Sequence, residues 1–506
     1  MSDEKKEDDS GALTSPYRQR MRLAVLYTLL SRPLTLVAMG TSLAALARLI
    51  SPEEFGLFAI AYAVHATLEQ VALFGLKPFL IRQKNLGRRD LERAAGLSIA
   101  IGAGLLLLIV AGHQLVPSDL TDDGLGKALL ILGTTMIVRP ISLVSETLLE
   151  KHLRFGRVSA ITVLSSVSYA LVAIFAALQG FGVVALALGV LGEQVIRTLA
   201  LLVAGPEGRV LPRIGSLPAF GGFGWSYTAS RMLPKLSGFA VVTGLADLIG
   251  VAAVGLYNRA QTIVKLADKT VMSAVDPVVL PALSHSINEG GDPQDAYDRK
   301  VGYLTAFLWP VFAAMIILTG PLVRTLLGED WLETITPARI LLVGALAFPF
   351  TQMSLKLFVV FDLVPQYLPI QTANQVMRVL LALSGGMIGL SYACAGLALA
   401  GFIKAGLITY ALHRHLGMGW RKSLAPMLPA AGVALMTAAG SSVGLLLPGS
   451  EPLLQLVAGM LGAFALWVAG LFLMGHPLTV DAGDLWRQRK QIIVRLAPTS
   501  QPRSAP

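Results

Sequence analysis

Long apolar stretches separated by short polar breaks run from about residue 23 to about residue 475. Each stretch comes close to or exceeds the ~20 apolar residues that a helix needs to cross a bilayer. Pro, Gly and clustered charge mark the breaks. They predict helices near 23–50, 55–82, 94–116, 126–149, 158–179, 182–204, 220–248, 251–281, 300–326, 335–361, 366–390, 393–413, 424–447 and 453–475. The pattern is that of an all-α polytopic membrane protein with about fourteen transmembrane helices. The break at 361–366 rests on Asp362, Val364 and Pro365 alone. Residues 1–22 are polar and mixed in charge, with no small-residue cleavage site after a short apolar core, so they read as a disordered cytosolic tail. Residues 476–506 read as a second cytosolic tail.

Composition agrees with the pattern. Hydrophobic residues make up 54% and charged residues 14% of the 506, and mean hydropathy is +0.66. A water-soluble surface on a chain of this length requires more charge, so lipid is the solvent for most of it. The single cysteine, Cys394, excludes an intramolecular disulfide and a metal or redox cluster of cysteines. Charge in the connections then orients the spans. Even-numbered gaps are basic (Arg82, Lys84, Arg88, Arg89 and Arg93; Lys151, Arg154 and Arg157; Arg209 and Arg213; Arg299 and Lys300; Arg414, Arg421 and Lys422). Odd-numbered gaps carry Glu53, Glu54, Asp119, Asp122, Asp123, Glu329, Asp330, Glu333 and Glu451. By the positive-inside rule both termini are expected in the cytoplasm, in a bacterial inner membrane. The pI near 9.7 follows from these loops and calls for no nucleic acid partner.

Residues 31–81 align without gaps on 230–280, at a constant offset of 199. Ser31 falls on Ser230, Arg32 on Arg231, Gly56 on Gly255 and Pro78 on Pro277, and Glu69 falls on Asp268. The offset equals six spans, an even number, so the copies cross the membrane in the same sense, as a parallel repeat. The expected organisation is an N-lobe (23–204, spans 1–6), a cytosolic linker (205–219), a C-lobe (220–413, spans 7–12) and two C-terminal helices (424–475). Two six-helix lobes around a central cavity are the architecture of a transporter; a duplicated bundle with a purely structural role is the alternative.

A cation facing lipid at a helix centre costs ~2.5–3.5 kcal/mol, so such residues are expected to face protein, water or a bound anion. In span 7, Gly224, Thr228, Arg231, Lys235 and Gly238 share a stripe, which span 1 echoes with Thr28, Arg32, Thr35 and Met39. Span 8 aligns Asn258, Lys265, Lys269 and Asp276; span 11 aligns Gln371, Asn374, Gln375 and Arg378. Gln352, Lys356 and Lys404 add polar positions in spans 10 and 12. Arg32, Arg231, Lys235, Lys265, Lys269 and Arg378 are therefore the candidates for a cationic cavity that binds an anionic substrate. Other charges have plainer readings. Glu193 and Arg197, spaced i,i+4, are expected to pair with each other, Arg139 with Glu146, and Lys404 and Arg324 to snorkel. Glu69 and Asp268 either carry coupling protons or pair with neighbouring cations. No metal, phosphate-loop or nucleophile motif is present, so no enzymatic activity is expected.

Leu49-Ile50-Ser51-Pro52-Glu53-Glu54-Phe55-Gly56-Leu57-Phe58 resembles a hallmark of Wzx-type polysaccharide flippases, in the multidrug/oligosaccharidyl-lipid/polysaccharide exporter superfamily. So do Val254-Gly255-Leu256-Tyr257-Asn258-Arg259-Ala260, Pro277 through Ser284, and Pro321-Leu322-Val323-Arg324 through Trp331. Leu80 through Lys84 and Leu153-Arg154-Phe155 also match, and the resemblance covers about residues 20–420. It implies an alternating-access flippase that moves undecaprenyl-diphosphate-linked oligosaccharide units outward for exopolysaccharide or lipopolysaccharide synthesis. No cofactor is implied beyond proton or sodium coupling; the implied partners are the lipid-linked glycan, the lipid bilayer and polysaccharide polymerase or chain-length proteins. A departure is Asp362-Leu363-Val364-Pro365, where the family commonly has a basic turn. The competing readings are a lipid II flippase, a drug/cation antiporter, which would gather carboxylates in its cavity, a membrane glycosyltransferase or polymerase, which would need a catalytic outer loop, and a scaffold for the assembly machinery.

Overall fold

The computed structural model describes residues 34–83, 86–115, 124–152, 154–205, 209–213, 215, 220–266, 292–361, 363–419, 427–447 and 449–476. Helix is the only regular structure among them. In chain order the helices are α1 (Leu34–Leu49), α2 (Pro52–Leu73), α3 (Leu76–Arg82), α4 (Arg88–Leu115), α5 (Leu125–Lys151), α6 (Phe155–Leu178), α7 (Val183–Ala204) and α8 (Phe220–Ile249). They continue as α9 (251–266), α10 (Pro293–Leu326), α11 (Ile335–Ala345), α12 (Phe348–Val360), α13 (Val364–Gly386), α14 (Leu390–Leu416), α15 (Met427–Ser442) and α16 (Pro452–Leu473). Each of the fourteen expected spans carries a helix among the described residues, and ten of these helices are long and apolar enough to cross a membrane. Large apolar side chains such as Leu107, Leu171, Phe175, Leu435, Leu461 and Phe472 lie exposed, which suits a lipid surround.

The chain forms two compact units, Met1–Asn258 and Arg259–Pro506. In the first, α2 starts with a capping box. Ser51 Oγ accepts from the Glu54 amide at 3.3 Å, while Glu54 Oε2 accepts from the Ser51 amide at 2.9 Å, and Pro52 occupies the first turn, where no N–H is needed. The acidic pair ahead of Phe55 thus serves the helix end. Span 2 was expected as one helix, but Phe74 (φ 39°) and Gly75 (φ 67°) both adopt the left-handed conformation and divide it into α2 and α3. The bend places Gly75 against the Tyr227 ring, and Phe74 against Gly224 of α8.

The repeat has a local structural counterpart inside this unit. A Cβ at Gly56 would overlap the Val251 carbonyl oxygen, and a Cβ at Gly255 would overlap the Pro52 carbonyl oxygen. Those two contacts are the same contact taken in both directions, since 52 and 251, and 56 and 255, are equivalent positions of the repeat. Only glycine permits backbones to approach this closely.

In the second unit, α10 packs on α15 and α16, and a core of Leu304, Leu308, Phe312, Leu342, Leu357, Phe358 and Ile408 joins α10, α11, α12 and α14. Span 10, also expected as one helix, is two half-helices interrupted at Leu346–Ala347. Pro349 explains part of the break, because it has no N–H to bond the Ala345 carbonyl. Trp309 Nε1 donates to the Leu346 carbonyl at 2.9 Å and satisfies one group freed by the interruption. The expected break at 361–366 is present, with α12 ending at Val360 and α13 starting at Val364.

Candidate functional site: a cationic cavity

Several charges of the first unit pair with one another across its helices. Arg139 of α5 is bonded to Glu69 of α2 rather than to Glu146. Glu146 Oε1 instead accepts from Lys77 Nζ at 2.8 Å and from Arg197 Nη2 at 3.0 Å, and Lys77 also reaches Glu150 Oε1 at 2.7 Å. Arg197 therefore pairs across helices, with Glu146, and not along its own helix with Glu193. The expectation of an i,i+4 pair fails because a facing helix brings a carboxylate into reach, and two cations on one carboxylate satisfy more of its lone pairs. His65 Nε2 and Thr135 Oγ1, 2.7 Å apart, add a further tie between α2 and α5. Arg231 and Lys235, one turn apart on α8, are exposed; the Arg231 guanidinium lies 5.6 Å from the Tyr227 ring centroid.

The second unit contains a cavity of about 380 Å³ lined by α9, α11, α12, α13 and α14. Among the described residues three cations reach it: Lys265, Arg378 and Lys404. Among the described residues no carboxylate lines it, and none forms an ion pair with Arg378 or Lys404. The neutral polar lining is Gln261, Thr351, Asn374 and Gln375. Lys265 Nζ donates to Gln261 Oε1 at 2.9 Å, and Arg378 Nη1 donates to Gln375 Oε1 at 3.2 Å. Lys404 Nζ sits 5.9 Å from the centroid of the Tyr367 ring, within cation–π range. The break of span 10 forms part of the wall, through Ala345, Ala347 and Phe348, with small residues Gly344, Ala398 and Gly401 beside it. Cations gathered around one cavity favour a negatively charged ligand, and an anion is the ligand that such a lining attracts.

Of the candidate residues, the structure thus gathers Lys265 and Arg378 in one cavity. Arg231 and Lys235 do not line it. Arg32, Lys269 and Asp268 lie outside the described residues, as do Asp362 and the side chain of Lys356. Lys404, which the sequence reads either as a polar position of span 12 or as a snorkelling residue, lines the cavity, one turn along α14 from Gly401. Lys77 and Glu150 carry two of the ion pairs of the first unit without having stood out in the sequence. A second cavity, of about 640 Å³, draws on the adjacent stripe of α14 (Phe402, Ala405, Gly406 and Thr409) and is otherwise apolar, with Trp309, Ile316, Phe350 and Leu435 in its wall.

Residues 45–336 match the family model described as "Polysaccharide biosynthesis protein". Among characterised relatives, the succinoglycan biosynthesis transport protein ExoT of Rhizobium meliloti is 24% identical over 56% of this chain and 58% of its own length. The lipopolysaccharide biosynthesis protein WzxC of Escherichia coli is 21% identical over 62% of this chain and 65% of its own length. The teichuronic acid biosynthesis protein TuaB of Bacillus subtilis is 21% identical over 54% and 57%. These matches leave more than a third of each relative uncovered. Among solved structures, the lipid II flippase MurJ superposes with a TM-score of 0.70 over 89% of this chain and 98% of its own, at 13% identity. An inward-facing multidrug resistance transporter of the MATE family and MOP superfamily superposes with a TM-score of 0.59 over 77% and 98%, at 17% identity. At such identities the likeness is one of fold.

Proposed function

Starting from a chain that belongs to the polysaccharide biosynthesis protein family, we propose that it is a membrane transporter that flips a diphosphate-linked glycan lipid across the bacterial inner membrane by alternating access. The observation that carries this reading is the cavity with Lys265, Arg378 and Lys404 and, among the described residues, no lining carboxylate. An undecaprenyl diphosphate bearing an oligosaccharide supplies the anion, and the names of ExoT and WzxC, which refer to exopolysaccharide and lipopolysaccharide synthesis, support a surface polymer as its destination. A cation or drug antiporter of the same fold calls for the opposite lining, since a cationic cargo is repelled by three cations. The lipid II flippase MurJ has a similar fold and lipid II carries the same diphosphate, so the cations alone do not separate the two cargoes, and the names of the other relatives support the polysaccharide precursor.

Transport coupled to protons or sodium, cytoplasmic termini and cooperation with polymerase or chain-length proteins complete the proposal. Cells lacking the protein should accumulate lipid-linked precursor on the inner leaflet, and wild-type protein should restore export. At matched protein level, Arg378→Ala combined with Lys404→Ala should leave the precursor accumulating. Full export by that double variant would overturn the cavity's role.

A further inference from the structure

The lining of the cavity is unbalanced in hydrogen-bonding capacity. Lys265 and Arg378 each donate to the oxygen of a neighbouring glutamine amide. Asn374, next to Gln375 in α13, lines the same cavity with only 3% of its surface exposed, and its Oδ1 is buried with no hydrogen-bond partner. A buried acceptor left unpaired costs about 1–3 kcal/mol, so a position of this kind is maintained where something else satisfies it. Half a turn about the last side-chain bond of an asparagine exchanges its oxygen and its NH2 group, which puts the oxygen where the nitrogen was.

The ligand that the cations attract does not satisfy this oxygen. An ionised diphosphate presents acceptors only, and two acceptors do not bond. What Asn374 needs is a donor: a hydroxyl or an amide N–H on the group that the diphosphate carries. A volume of about 380 Å³ lies at the low end of ligand cavities, ~300–1,000 Å³. It suits a charged head with one ring beside it and not an extended oligosaccharide. Gly344, Ala398 and Gly401 leave that room without polar groups of their own side chains to compete for the donor.

We infer that Asn374 is a specificity-determining residue, whose side-chain oxygen accepts a hydrogen bond from the sugar attached directly to the diphosphate. This rests on the flippase reading and adds to it a division of labour. The cations bind any diphosphate, and Asn374 distinguishes a diphosphate that bears a sugar from one that does not.

The test uses the full-length protein in lipid nanodiscs. The probes are farnesyl diphosphate and its conjugates with a single glucose, galactose or N-acetylglucosamine, with binding followed by isothermal titration. The wild type should bind at least one conjugate about tenfold more tightly than bare farnesyl diphosphate, the equivalent of about 1.4 kcal/mol. Asn374→Ala should bring that conjugate down to the affinity of the bare diphosphate, which itself should not change. Asn374→Asp keeps an acceptor oxygen but adds negative charge, so it should weaken both ligands while preserving the ratio between them. It also serves as a second variant should Asn374→Ala lose its fold. Arg378→Ala should weaken both ligands equally. No preference of the wild type for any conjugate would overturn the inference, as would Asn374→Ala that keeps the preference or loses the bare diphosphate in parallel. Failure of the flippase reading has a different signature: no binding of bare farnesyl diphosphate by wild type, and no response to Arg378→Ala.

Discussion

Replacing Glu146 by Gln tests whether the charges of the first unit hold its helices together. Glu146 has a side chain 10% exposed and takes two cations from different helices, Lys77 at 2.8 Å and Arg197 at 3.0 Å. After the substitution Lys77 still has the Glu150 carboxylate at 2.7 Å, whereas Arg197 keeps neutral acceptors, the glutamine oxygen and Thr162 Oγ1 at 3.4 Å. Removing one partner of a buried pair costs ~3–5 kcal/mol, and the surviving Lys77–Glu150 contact places this case near the low end, at about 3 kcal/mol. Glu150→Gln should cost only about 1 kcal/mol, because Lys77 falls back on Glu146 and no cation is stranded. For a unit of this size each kcal/mol lowers Tm by ~2–4 °C, so Glu146→Gln should melt roughly 6–12 °C below wild type. Thermal unfolding of purified protein in detergent measures this directly. Adding Arg197→Met should recover part of the loss, since an apolar replacement removes the stranded charge. Equal melting of Glu146→Gln and wild type, or an equal loss in Glu150→Gln, would refute the reasoning.

Three further outcomes are expected. Glu69→Gln, which releases Arg139, should lower stability but leave the pH dependence of transport unchanged at matched protein level; loss of that dependence would instead make Glu69, with Asp268, a coupling group. Arg231→Ala and Lys235→Ala, made together on an exposed stretch of α8, should reduce export severalfold with little change in Tm, and Arg231→Lys should restore part of it; full export by the double variant would remove both from the binding machinery. His476, just past α16, has its pKa pushed below the usual imidazole value by burial, against a smaller opposing contribution from a hydrogen bond with the Gly302 backbone. The neutral form is then the folded form, so its contribution is fully present above about pH 6.5 and is lost as the pH falls below that value. Melting at pH 7.5 and 5.5 should show a smaller acid penalty for His476→Gln than for wild type.

Much of the fold was legible because a lipid solvent imposes a single requirement, about twenty apolar residues with every backbone group satisfied within the helix. That requirement places helices on all fourteen expected segments, whereas Glu54, which reads as a loop charge in the sequence, caps α2 with Ser51. Interruptions inside an apolar segment are not legible in the same way. Phe74–Gly75 and Leu346–Ala347 keep hydropathy high, and only Gly75 and Pro349 hint that the helix stops there. The pairing of charges was misread for a related reason. Helical periodicity shows which residues share a face, as with Asn374, Gln375 and Arg378, but the partners of Arg139 and Arg197 come from other helices. Lys404 admits both a polar-stripe and a snorkelling reading in the sequence, and only its neighbours in the fold place it in the cavity wall, beside Gly401.

The contact of Gly56 with Val251, mirrored by that of Gly255 with Pro52, has the form of a homodimer seam contained in one polypeptide. In an isologous interface residue i meets j wherever j meets i, and a change in the sequence is felt on both sides of the axis at once. Here the two sides are separately encoded, so either can change alone, yet neither is free of the other. Once an alanine at position 56 has driven the two backbones apart, an alanine at 255 finds the space already open and adds less than its own cost. The two halves of a duplicated chain can diverge independently over most of their length. Where they touch their own counterparts they remain a single site with two addresses, and energies there do not add.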